Sequence, residues 1–229
     1  MKYSLLLFCV PLFNLATSAQ NKKTYKVNPG EKVYDVIPKN DMYKYPEFRQ
    51  AIVLLKDGTY GSAKVNYNSL FAEMQFIDPK GDTLSLADEN NIISIAVKKD
   101  TFYYDNGYME LMAGYNKVKL ARRRLIDFSN REKIGALDIA NAGEIETYTT
   151  VSSRTYMKDL IAKEVLTFSE RTIYFFGDRF NHFFLANKKN LLKMYAKQQT
   201  KISDYLKTNP VNFTDENDLE RLVIFLQAL

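Results

Sequence analysis

The 229-residue chain has one cysteine, one histidine and no tryptophan. Cys9 lies in the first apolar stretch, so the remainder can form no internal disulfide and has no thiol for nucleophilic or redox chemistry. With His182 as the sole histidine, zinc sites built from several histidines, HExxH helices among them, are excluded. The nine glycines occur singly, so no glycine-rich loop cradles a phosphate, and no G-x-S-x-G nucleophile elbow is present. Long hydrophobic runs are missing too: Ser4 to Leu15 is interrupted by Pro11 and Asn14 and falls short of the ~20 residues needed to cross a bilayer.

That short apolar run follows Lys2 and precedes Thr17-Ser18-Ala19, the layout of a cleavable secretory signal. Residues 1–19 are read as the signal peptide, with cleavage after Ala19 and Cys9 lost with it. A lipoprotein anchor at Cys9 fits less well, because Phe8 stands where a small residue is required. The expected product is exported, periplasmic or secreted, and stabilised by its core alone. At 46% hydrophobic and 14% aromatic residues, the composition supports one domain, or one domain with an appendage. The formal charge of +5 is mildly basic, and Lys2 is the only charge in the signal. Such a balance favours anionic headgroups or polysaccharide and lacks the dense basic footprint of a nucleic-acid binder.

Residues 20–46 carry Pro29-Gly30 and Pro38 without a sustained period and read as an extended N-terminal arm, docked by Tyr43 and Tyr45. The pattern changes at residue 47. Ile52 to Leu55, Lys56-Asp57-Gly58 and Tyr60 to Tyr67 read as strand, turn and strand. Leu70, Ala72, Met74 and Phe76 alternate, and Asp78 to Asp82 is a turn. Ile92 to Val97, Thr101 to Tyr104, Tyr108 to Ala113 and Lys117 to Phe128 follow as β-prone runs. Val165 to Phe168, Thr172 to Phe176 and Arg179 to Phe184 suggest a second meander turning at Gly177-Asp178. Arg131 to Tyr156 reads as an irregular excursion. In residues 187–229, Asn187 caps a helix carrying Leu191, Tyr195, Ile202 and Leu206, with a break admissible near Gln199-Thr200. Thr214 to Glu216 starts a last helix striped by Leu219, Leu222, Val223 and Leu226. The expected fold is mainly β (α+β): residues 47–186 form a curved antiparallel β-meander or incomplete barrel, and a C-terminal helical pair covers an edge or opening.

Tyr67-Asn68-Ser69-Leu70-Phe71-Ala72-Glu73-Met74-Gln75-Phe76 with Gly81-Asp82-Thr83-Leu84, and the tail Lys188 to Lys193 with Ile202 to Leu206, resemble uncharacterised exported proteins of Bacteroidota-type bacteria. The resemblance covers about half of the mature chain in pieces. It implies a secreted origin and carries no activity or site residues with it.

The remaining candidates for chemistry each have a structural alternative. His182, on an apolar stretch, could serve as a general base with a serine and a carboxylate, or be a surface or satisfied interior histidine. Glu144 with Glu146, or Asp88 with Glu89, could act as a hydrolase pair across a cleft, or be solvated loop acids. Asp78 to Asp82 lacks the calcium-loop pattern. Arg122-Arg123-Arg124 is either a charged strand edge or an anion site, with Arg122 and Arg124 on one face and Arg123 on the other. Lys189, Lys193, Lys197 and Lys201 form a basic stripe that is either a solvated face or a contact for an acidic membrane surface. Tyr103, Tyr104 and Tyr108 either line the sheet or form a recognition patch. No catalytic residue, cofactor or metal ligand is assigned. The expected function is a non-enzymatic exported binding or structural module engaging a partner protein or an anionic envelope surface, with no nucleic acid and no transmembrane span. The alternatives are a lipocalin-like carrier of an apolar ligand and a carboxylate-based hydrolase.

Overall fold

The structure is a computed structural model describing residues 22–115, 118–134, 140–142 and 159–229. Residues 1–19, read above as a signal peptide, and most of the 131–156 excursion, Glu144 and Glu146 included, lie outside the described residues. Alternating apolar positions generate β2 (Arg49–Leu55), β3 (Tyr60–Asn68), β4 (Glu73–Ile77), β6 (Ile92–Val97), β7 (Asp100–Tyr104) and β8 (Tyr108–Tyr115), with β5 (Thr83–Ser85) an exposed outer strand. β9 (Val118–Ile134), β10 (Ala140–Ala142), β11 (Val165–Gly177) and β12 (Phe183–Leu185) follow. With β1 (Thr24–Val27) at one edge, all pairs are antiparallel, in the order β1-β11-β9-β8-β7-β6-β2-β3-β4-β5, with β10 on β9 and β12 on β11.

The β2–β3 turn works as its residues suggest. Gly58 takes φ +85°, open to glycine at no steric cost, and the Asp57 carboxylate accepts from Thr59 N and Oγ1. Gly114 has a different reason to be glycine. A Cβ there would sit 2.2 Å from the Val118 carbonyl oxygen, where β8 folds back into β9.

Residues 22–46 depart from the extended arm expected over 20–46. Tyr25 and Val27 alternate inward on β1 (Thr24–Val27), which pairs with β11 at the sheet edge. One-turn helices α1 (Val33–Val36) and α2 (Lys39–Met42) then bury Val33, Ile37 and Met42. The segment belongs to the core because Tyr25, Val27, Val33, Ile37 and Met42 all face one cluster. Tyr43 and Tyr45 do dock: their hydroxyls donate to Gln75 and Asp100 at 2.7 Å each.

The two runs Val165 to Phe168 and Thr172 to Phe176 are one strand. Ser169, Glu170 and Arg171 stay in the ladder against Asp127, Ile126 and Leu125, with a bulge at Thr167/Phe168. Polar residues are tolerated there because Tyr25 Oη donates to Glu170 and Arg171 pairs with Asp127 at 3.3 Å. The expected third run, Arg179 to Phe184, is mostly the turn that leads into β12.

The sheet curls without closing. Where β8 ends, the β3–β4 turn meets β9 instead: Ile126 N donates to Ser69 O at 2.9 Å and Tyr67 Oη donates to Arg124 O at 3.0 Å. Tyr67, Phe102 and Tyr108 pack face and edge inside the curl with Val53, Val65 and Ile95. A second cluster joins the N-terminal segment to Leu70, Phe71, Ile126 and Phe168.

The third cluster is the helical tail on β9 and β11. Asn187 caps α3 (Lys188–Met194) by accepting from Asn190 N. A 3-10 turn at Ala196–Gln198 then separates it from α4 (Gln199–Thr208), close to the anticipated break. Asp215, one residue beyond the expected Thr214, caps α5 (Glu216–Gln227). Leu219, Leu222, Val223 and Leu226 are fully enclosed, while Tyr205 stacks on Phe225 at 4.0 Å.

Leu222→Ala removes a wholly buried side chain and is expected to cost about 3 kcal/mol in urea unfolding. Ile224→Ala, at a position 69% exposed on the same helix, should change stability by less than about 0.5 kcal/mol.

Candidate functional site

Two polar features stand out, one inside the fold and one on its surface. The inner one begins with Glu110, a lone acid in the otherwise apolar run Tyr108 to Ala113. Its side chain is 9% exposed, and an isolated carboxylate so placed is several kcal/mol too costly to leave unpaired. Strand pairing supplies the first partner, since Arg122 lies directly opposite on β9. Arg122 Nε and Nη2 grip the two carboxylate oxygens at 3.2 and 3.1 Å. Lys44 donates to Oε1 from the N-terminal segment, and Arg124 Nε stands 3.6 Å from Oε2.

The cations reach further acids in turn. Lys44 lies 3.5 Å from Asp100 on β7, and Arg122 Nη1 donates to Glu216, the first residue of α5, at 3.2 Å. Three cations and three carboxylates therefore balance. Burial pushes Glu110 and Asp100 towards the neutral acid. For Glu110 the hydrogen bonds from Arg122 and Lys44 outweigh it, and for Asp100 those from Tyr45 and Lys44 do. Both carboxyls are held below their ordinary range.

The arginine triplet is resolved by this arrangement. Arg122 and Arg124 share one face as the strand period requires, and Arg123 takes the other, stacked over Phe175 at 5.3 Å and donating to Asn106 O. A charged-edge role is overturned, because β9 is paired on both sides. The anion these arginines meet is the protein's own Glu110.

The outer feature is the β11–β12 turn. Asp178 folds it by accepting from Phe180 N and His182 N at 2.8 and 2.9 Å. Burial raises its pKa, but these backbone donors prevail and hold the carboxyl low. Asp105 is likewise engaged, accepting from Phe183 N at 2.7 Å. Phe180 is left 63% exposed at the tip, with the Arg179 guanidinium 4.5 Å above its ring. His182 is exposed, 3.4 Å from Asp178 through Nδ1. Phe184 and Leu185 are exposed on the adjoining strand. Asn190 Nδ2 donates to Leu185 O at 2.9 Å, tying the start of α3, with exposed Lys188 and Lys189, to the same end of the molecule.

The other sequence candidates separate. Asp78 accepts from Lys80 N and Asp82 N and serves its own turn. Asp88 is exposed at φ +51°, while its neighbour Glu89 faces a cleft. Tyr103 packs on Phe183 outside the curl, whereas Tyr104 and Tyr108 pack together at 5.1 Å within it, so they make no single patch. Lys189, Lys193, Lys197 and Lys201 are all exposed, but the 3-10 turn breaks their stripe. Among the described residues no cluster of three metal-ligating side chains occurs, and no helix is long and apolar enough to cross a membrane.

No protein-family model, curated protein or solved structure matches the chain.

The Glu110 assembly was not anticipated from sequence. Its signal was present as an acid on an apolar strand face with two bases two residues apart on the next strand. Its stabilisation is complete above the ordinary carboxylate range and is lost as pH falls through the lowered folded values. Glu110→Gln should cost about 3 kcal/mol at pH 7 by stranding Arg122 and Lys44. It should also flatten the decline in stability below about pH 4. Urea titrations of both proteins across pH 2–7 measure this, and an unchanged acid slope in the variant would contradict the assignment.

Proposed function

We propose that the protein is a non-enzymatic exported module that contacts an anionic surface of the cell envelope through the β11–β12 turn and the first turn of α3. The observation that carries this is Phe180: a large aromatic ring exposed at a loop apex and backed by a guanidinium. Both neighbouring acids are spent on backbone hydrogen bonds. Arg179, Lys188 and Lys189 supply the cations at this end of the molecule, beside the turn-forming Asp178 and Asp105 carboxylates. Aromatic side chains favour the headgroup level of a bilayer, and each nearby Lys or Arg contributes about 1 kcal/mol at an anionic leaflet.

The size of the feature favours a surface over a folded partner. A stable protein interface buries about 800 Å² on each side, far more than one aromatic tip with two flanking apolar residues provides. Export itself rests on the residue 1–19 signal pattern and on the resemblance of the 67–84 and 188–206 segments to exported proteins.

The carrier alternative gains less support. The described part of the curl is filled by Tyr67, Phe102, Tyr108 and their aliphatic neighbours.

Co-sedimentation with phosphatidylglycerol vesicles, against phosphatidylcholine vesicles, tests the proposal. The mature protein should prefer the anionic vesicles, lose most of that binding at about 0.5 M salt, and lose it also with Phe180→Ala. Equal partitioning to both lipids, or binding indifferent to Phe180 and salt, would overturn it.

A further inference from the structure

The curl leaves a second feature where its two ends approach. Between the β7–β8 turn, the start of β4, the 3-10 turn at Glu89–Asn91 and the outer face of β9 and β11 lies an open cleft of about 290 Å³. That volume is close to the lower end of the range for small-ligand sites.

The charges of the cleft are sorted by wall. Glu73 and Glu89 stand on the β4 and 3-10 side, and Arg123 and Arg171 on the β9 and β11 side, with Leu125 among the apolar residues between them. Glu73 is oriented by Gln75 Nε2, which donates to it at 2.6 Å. Arg123 is fixed by its bonds to the Asn106 and Tyr108 carbonyls, and Arg171 by Asp127. Fixed opposite charges separated by an apolar floor suit a ligand carrying both signs.

A further polar group lies close by. Tyr108 is 1% exposed, and its buried hydroxyl lies within reach of the Glu89 carboxylate. Its ring packs on Tyr104, which lines the cleft, and the Glu89 charge acts on it.

We infer that this cleft binds a small zwitterion of the amino-acid or dipeptide class, its ammonium held by Glu73 and Glu89 and its carboxylate by Arg171. The inference is independent of the envelope contact, since the two sites share no residue. Binding involves no covalent step.

The test is an NMR titration of the mature protein with the dipeptide Ala-Leu, beside its N-acetylated and C-amidated forms. The free dipeptide should shift resonances of Glu89, Tyr104 and Arg171, and either cap should weaken binding about tenfold or more, as expected for loss of a charge-assisted contact. Glu89→Gln should weaken the free dipeptide but not its N-acetylated form. No saturable shift at about 10 mM ligand, or equal binding of all three forms, would overturn the inference. The comparison of caps uses the unaltered protein, so it stands even if a variant fails to fold.

Discussion

Burying Glu110 on the inward face of β8 obliges the fold to bring cations to it, and no single element supplies enough. Arg122 comes from the neighbouring strand, Lys44 from the N-terminal segment, and Arg122 reaches on to the first residue of α5. Desolvation of one carboxylate thus couples the three places where apolar packing is concentrated. Each hydrophobic cluster could be argued to form by area alone. Their mutual placement is set by this charge assembly, because removing any one segment leaves an unpaired ion in a low-dielectric interior.

The same economy separates structure from surface. Lys44 and Arg122, with Arg124 alongside, meet acids inside the molecule, and Asp105 and Asp178 are used to shape turns. The β11–β12 end exposes basic, aromatic and aliphatic side chains around the Asp178 carboxylate, whereas the open side of the curl presents walls of opposite sign. The two proposed contacts therefore use surfaces of different character on one sheet, kept apart by the strands that join them.

Much of the architecture was legible where one principle acted alone. Alternation marked the strands from Ile52 to Ala113, Asp57-Gly58 marked a turn, and Asn187 and the Leu219 stripe marked helices that the structure contains. Legibility failed where a partner distant in sequence decided the outcome. Ser169 to Arg171 looks like a break until Tyr25 and Asp127 are placed beside it. The 22–46 segment looks like an extended arm because its apolar residues follow neither period, yet Tyr25, Val33 and Met42 converge on one cluster. The residue that carries the proposed contact was the least visible: Phe180 is one of fifteen phenylalanines, and its exposure follows from a turn folded by Asp178.

Native-state hydrogen exchange under mild denaturant tests most directly whether Glu110 makes the three clusters one cooperative unit. Amides of Leu120 and Ile126 on β9, Leu222 on α5 and Lys44 in the N-terminal segment should share one opening free energy, equal to that of global unfolding. Exchange of the α5 and Lys44 amides through separate openings of much lower free energy, with β9 still protected, would show that the charge assembly does not hold the fold together.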